Sequence, residues 1–174
     1  MKKTISEVDP AWLAGKTVVV RTDFNVPLDD GHVTDDRRIR ESIPTIELLT
    51  HAGARVVLLS HLGRPDGRTK PEFSLAPVAE RLGGLLGKPV AFVTSPNGPE
   101  AAAEVRGLAP RGVALLENTR FLPGDEDNDA ALSAAWAALG DIFVNDAFGV
   151  SHRAHASTSG LAAAMDAKGG ESVA

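Results

Sequence analysis

Three observations point to a Rossmann-like, doubly wound parallel sheet in a three-layer α/β/α arrangement. Short apolar runs recur along the chain, most of them lack in–out alternation, and helix-patterned segments separate them. Strands of a parallel sheet are covered on both faces, so they read as continuous apolar runs. Repeated strand–helix alternation then makes right-handed crossovers the economical topology.

The runs, in order, are TVVVR (Thr17–Arg21), ARVVLLS (54–60), PVAFV (89–93), GVALLEN (112–118) and DIFVNDAF (141–148). The first helix is expected over 37–52, with Asp35 or Asp36 as N-cap and Gly53 past its end. Pro44 should kink it, because a proline inside a helix removes a hydrogen bond. A second helix begins after Ser74 and sets Leu75, Val78, Ala79, Leu82, Leu85 and Leu86 on one face. A third covers Pro99–Arg106, and a fourth runs from Asp129 with Leu132, Ala135, Trp136 and Leu139 inward. One domain is expected over 1–161, followed by an alanine-rich then polar piece, 162–174, that reads as a tail or partial helix.

Composition narrows the class. The chain has 174 residues, no cysteine and a formal net charge of -5. Disulfides and thiolate chemistry are excluded, and an acidic balance argues against a general nucleic-acid binder. The opening MKKTISEVDPAW has no apolar core of a secretory signal, and no run approaches the ~20 apolar residues of a membrane helix. A cytoplasmic monomer is the expectation.

In open α/β sheets, ligands bind beyond the carboxyl ends of the strands. There the chain carries Arg21, Asp23 and Asn25, then His61 and Arg64, then Glu117, Asn118 and Arg120, and finally Asn145, Asp146, His152, Arg153 and His155. Arg38 opens the first helix near the same rim. Arginine presents a planar fork of donors that matches phosphate or carboxylate oxygens. Several arginines converging in an acidic protein would draw a small anion into a cleft. The bland alternative is that each arginine is solvated or paired with a neighbouring aspartate.

Other motifs carry less. No P-loop and no GxGxxG dinucleotide fingerprint occurs. DEDND, 125–129, lacks the glycine and the closing glutamate of a calcium loop and reads as a solvated acidic loop. His152 and His155 lack a placed third metal ligand. No metal site is assigned, although Asp23 and Asp146 could serve as paired carboxylates of a metal-dependent hydrolase.

Taken together, RTDFNVPLDDG, RRIRESIPTIELL, SHLGRPDG, LLENTRF and NDAFGVSHRAHAS closely resemble the amino-terminal domain of phosphoglycerate kinase, in that family's order and over about residues 3–161. The resemblance implies reversible phosphoryl transfer between 1,3-bisphosphoglycerate and ADP, in glycolysis, with the glycerate held on this domain. It implies that Asp23 and Asn25, with Phe24 between them, meet the substrate's hydroxyl and carboxyl end. Arg38 is implied as the catalytic arginine nearest the transferring phosphoryl group. His61, Arg64, Arg120 and Arg153, with Leu62 and Gly63, are implied as the basic patch around the 3-phosphate.

The family's chain is more than twice this length. No cofactor is expected on these residues; magnesium ADP or ATP belongs to the family's other, nucleotide-binding domain, which is missing here. The 174 residues are therefore expected to bind 3-phosphoglycerate without turning it over. The alternative is a catalytically silent binding or interaction module derived from the kinase.

Overall fold

The structure, a computed structural model, describes residues 3–173; the outermost ends of the spans expected at 1–161 and 162–174 lie outside the described residues. Six parallel strands form the central sheet: β1 (Thr17–Arg21), β4 (Arg55–Leu59), β5 (Ala91–Val93), β6 (Val113–Leu116), β7 (Ile142–Asn145) and β8 (Glu171–Val173). Their order is β5-β6-β4-β1-β7-β8. A two-stranded antiparallel hairpin, β2 (Leu28–Asp29) with β3 (His32–Val33), stands apart. The helices are α1 (Pro10–Leu13), α2 (Arg37–His51), α3 (Ala76–Leu86), α4 (Pro99–Arg106), α5 (Pro123–Glu126), α6 (Ala130–Ala137) and α7 (Leu161–Ala167).

Successive residues of a strand point to opposite faces, and here both faces are covered. Val18, Val20, Val56 and Leu58 join one core with Ile39, Ile46 and Leu49 of α2 and Val78, Ala79 and Leu82 of α3. Val19, Val57 and Leu59 join the other with Ala101 and Val105 of α4, Leu132 and Trp136 of α6, and Leu161 and Met165 of α7. That is why the runs show no alternation: every residue from Val18 to Arg21 and from Val56 to Leu59 is buried.

Local chemistry sets the helix ends. Asp129 caps α6 by accepting from the Leu132 N–H at 2.7 Å. Asp36 occupies the N-cap of α2 but makes no side-chain cap bond. Its carboxylate instead takes Arg40 at 2.9 Å and Arg81 at 2.6 Å, which ties α2 to α3. Pro44 sits inside α2 without ending it. The residue is exposed, so water can satisfy the carbonyl that its missing N–H leaves free.

Two expectations need correction. The piece read as a tail or partial helix does carry a helix, α7, but it is built into the fold: α7 packs on α6 and β8 pairs with β7 as an edge strand, Phe143 opposite Ser172. Its sequence, ESV, is too short and too polar to announce a strand. The acidic loop 125–129 is not solvated throughout either. Asp125 is fully buried and accepts from the Ser157 N–H at 3.0 Å. Among the described residues, no helix is long and apolar enough to cross a membrane.

Candidate functional site

Parallel strands deliver their following loops to one edge, and the cleft there has a volume of about 310 Å³. Asp23, Asn25, Arg38, His61, Gly63, Arg64, Arg120, Gly149, Val150 and Arg153 line it. The loops after β1, β4, β6 and β7 therefore meet, and the start of α2 joins them with Arg38.

Arg38 is tethered on one side only. Its Nη1 donates to Asp23 Oδ1 at 3.1 Å and to the Asn25 carbonyl at 3.2 Å. Asp23 Oδ1 also accepts from the Asn25 N–H, at 3.2 Å. The Arg38 side chain remains 51% exposed, with Nε and Nη2 unpaired among the described residues. This arrangement holds the guanidinium at the cleft while leaving donors for a ligand.

Asn25 and Gly63 join the first two loops. Asn25 Oδ1 accepts from the Gly63 N–H at 2.9 Å, and the Gly63 carbonyl accepts from Arg120 Nη1 at 3.1 Å. Gly63 has φ +61, and a Cβ there would lie 2.5 Å from the Phe73 ring. Only glycine fits both the left-handed backbone and the space. Gly149 lets the β7 loop come close to Asp23, since a Cβ would meet its Oδ2 at 2.9 Å.

Arg120 is largely buried, and burial lowers its pKa in spite of Glu126 and Asp125 nearby. Its Nε lies 3.7 Å from Glu126 Oε1 and has no hydrogen-bond partner. Arg64 and Arg153 are exposed and form no ion pair among the described residues. They are the two cations with most freedom to turn toward an anion.

His61 departs from the expectation of a basic patch. Only 3% of the residue is exposed, and burial, then Arg21, Arg120, His155 and Arg38, push its pKa down to about 2. The imidazole is neutral at physiological pH, so the cleft's positive charge comes from arginines alone. Phe24 and Leu62 also stand differently. Both side chains belong to the apolar core rather than the cleft lining, and they anchor the two loops from beneath.

The remaining strand-end residues hold the scaffold. Glu117 accepts from Ser74 Oγ at 2.7 Å and from the Leu75 N–H at 2.9 Å. Asn118 donates to the Leu62 and Phe73 carbonyls and accepts from the Leu62 and Arg120 N–H groups. Asn145 accepts from the Ala147 N–H at 3.2 Å. Asp146 accepts from Thr45 Oγ1 at 3.2 Å, and burial raises its pKa. His155 is buried while His152 is exposed, so the two do not share an environment. Asp125 was not singled out from the sequence: nothing in an acidic run marks which member turns inward.

The comparisons with known proteins agree with this architecture. The family model described as phosphoglycerate kinase matches residues 8–174, through α7 and β8. A phosphoglycerate kinase from Caulobacter vibrioides is 56% identical over 170 residues, which are 98% of this chain and 43% of that protein. One from Desulforudis audaxviator is 53% identical over 171 residues, again 98% and 43%. The solved phosphoglycerate kinase of Coxiella burnetii superposes with a TM-score of 0.84 at 39% identity, covering 99% of this chain and 41% of that one. That of Pyrococcus horikoshii gives 0.81 at 27% identity, covering 95% and 44%. The chain spans less than half the length of these relatives, and it belongs to the phosphoglycerate kinase family.

Proposed function

We propose that these residues form the substrate-binding half of a phosphoglycerate kinase, holding 3-phosphoglycerate or 1,3-bisphosphoglycerate for reversible phosphoryl transfer with ADP and ATP. One observation carries the reading: Arg38, Arg64, Arg120 and Arg153, drawn from four separate segments, line one cleft in a protein of net charge -5. Fixed guanidinium groups around an open volume of that size suit a small, multiply charged anion.

The reacting group on the glycerate is a carboxylate, already ionised at neutral pH, so the reaction needs no general base. The cleft accords with that, since His61 is neutral and Asp23 is engaged with Arg38. Catalysis then rests on position and on neutralising charge spread over the moving phosphoryl group. Arg38 is the catalytic residue in this reading, because its unpaired nitrogens cannot lose their protons and remain free to donate. Asp23 and Asn25 orient the glycerate's hydroxyl and carboxyl end. Arg64, Arg120 and Arg153 hold its phosphate, with the His61 ring and the Gly63 backbone beside them.

The cleft does not fit a magnesium ion, because four guanidinium groups and a neutral imidazole surround Asp23, and Arg38 already holds that carboxylate. Magnesium ADP or ATP is placed on a second domain outside these residues, which must close over the cleft. The 174 residues alone bind the glycerate without turnover, in a cytoplasmic setting, as a monomer. A catalytically silent module is the competing reading; joining these residues to a nucleotide-binding domain would restore turnover only if the cleft is catalytically competent. The hydrolase reading is disfavoured, because the Arg38 guanidinium already occupies Asp23, where a divalent cation would have to sit.

An NMR titration tests the proposal. Amide shifts around Asp23, Arg38, Arg64, Arg120 and Arg153 with 3-phosphoglycerate, and none with magnesium ADP, are expected. No response to the glycerate would refute a preformed half-site.

A further inference from the structure

Arg21, placed with Asp23 and Asn25 at the ligand edge by its position at the end of β1, is instead the largest polar side chain buried completely among the described residues. Each of its nitrogens is spoken for. Nε donates to Ser157 Oγ at 3.0 Å, Nη1 donates to the Thr22 carbonyl, and Nη2 lies 3.0 Å from His61 Nδ1. Burial lowers its pKa only to about 10, with Asp125 and Asp23 opposing the shift, so it is charged at neutral pH.

A guanidinium has donors and no acceptor. In the Nη2 contact, His61 Nδ1 must therefore be the acceptor and carry no proton. The ring's single proton then sits on Nε2. Nε2 has no protein partner among the described residues, is not among the buried unpartnered atoms, and belongs to a residue that lines the cleft. An imidazolium would turn an Nδ1–H against the Arg21 N–H and would add a fifth cation beside Arg38 and Arg120.

We propose that Arg21 is a positioning residue that locks His61 as the Nε2–H tautomer, so that a neutral ring donates one directed hydrogen bond to an anion in the cleft. The inference rests on the substrate reading above for the identity of that anion. Its consequence is specific: the cleft's charge does not change as the pH crosses the range in which a free histidine titrates. The cations facing the ring from its surroundings are Arg21, Arg120 and Arg38, with His155 alongside; Asp125 and Asp23 are the acidic groups acting on Arg21, and Asp125 and Glu126 those acting on His155.

Long-range proton–nitrogen NMR of the histidine rings tests this in the ligand-free protein. The expected result is one His61 signal pattern, that of Nε2–H, unchanged from pH 8 to pH 5. Arg21→Met should release the lock, giving a tautomer mixture or a ring that titrates in that window. Should Arg21→Met fail to fold, a nitrogen–nitrogen coupling between Arg21 Nη2 and His61 Nδ1 in the unmodified protein reports the same contact. An Nδ1–H pattern, a wild-type ring that titrates in the window, or an Arg21→Met spectrum like wild type would overturn the assignment. So would absence of the coupling. Adding 3-phosphoglycerate separates the two readings. A shift of Nε2 supports both, whereas the expected tautomer with no response to the glycerate leaves the Arg21 lock standing and removes the substrate assignment.

Discussion

Lowering the pH from 7 to 5 should destabilise this protein through His61 before most carboxylates begin to titrate. In the unfolded chain a histidine takes up a proton near pH 6.5. In the folded protein the His61 pKa is pushed down to about 2, by burial first and by Arg21 second. Between those values the unfolded state binds more protons, so stability is complete above about pH 6.5 and is lost as the pH falls. The contribution lost between pH 7 and pH 5 is about 1.9 kcal/mol for this one group, a sizeable part of a typical domain's stability. His155 shifts in the same direction, while Asp146, whose pKa is raised, works the other way. The comparison of the wild type with His61→Gln removes both from the answer. Urea denaturation followed by the fluorescence of buried Trp136 would supply the free energies. The wild type should lose roughly 2 kcal/mol more than His61→Gln across that interval. Equal losses in the two proteins would refute the claim that the ring stays neutral.

Four further outcomes are expected. In a full-length enzyme containing this domain, Arg38→Ala should lower kcat far more than it weakens 3-phosphoglycerate binding; equal losses would remove its assigned role. Arg64→Ala or Arg153→Ala should instead raise the glycerate Kd, by roughly 1.5–3 kcal/mol for a lost charged hydrogen bond, measured by calorimetry. Gly63→Ala combines a left-handed backbone with a Cβ 2.5 Å from the Phe73 ring and should cost about 2 kcal/mol or more, read as a lowered urea midpoint. Asp125→Asn should destabilise by about 1–3 kcal/mol, because it removes a buried negative charge that favours Arg21 and Arg120 and leaves a buried amide in its place, and an unchanged melting temperature would show that the carboxylate does not compensate them.

The sheet was legible wherever burial on two faces left its mark. Val18–Val20 of β1 and the VALL of β6 are apolar throughout because the α2–α3 and α4–α6–α7 layers both rest on them. The hairpin at Leu28–Val33 and the edge strand ESV were not legible, since two or three residues cannot establish a period and their pairing depends on distant or turn geometry. In the cleft, residue types and strand-end positions were enough to bring Arg38, Arg64, Arg120 and Arg153 together. Side-chain direction was not. Phe24 and Leu62 sit between cleft residues in sequence, yet a one-residue step along an extended loop turns them into the core. The charge of His61 was hidden for another reason, since it is set by burial and then by Arg21, 40 residues away in the chain.

Bringing like charges together is costly unless the compensation is placed so that it does not also neutralise the site. The cleft meets that condition by depth. Asp125 lies beneath, fully buried, acting on Arg21 and Arg120 where no ligand can reach. Asp23 meets Arg38 through one nitrogen and leaves the other two. Arg64 and Arg153, the outermost pair, have no carboxylate partner among the described residues and are compensated by solvent, which an entering anion displaces. Paired charge lies at the base of the cleft and unpaired charge at its mouth. An anion is therefore attracted from outside and held by groups whose own positions are fixed from below. Neutral His61 fits the same scheme, since a further cation beside Arg21, Arg120 and Arg38 would have had no carboxylate of its own to balance it.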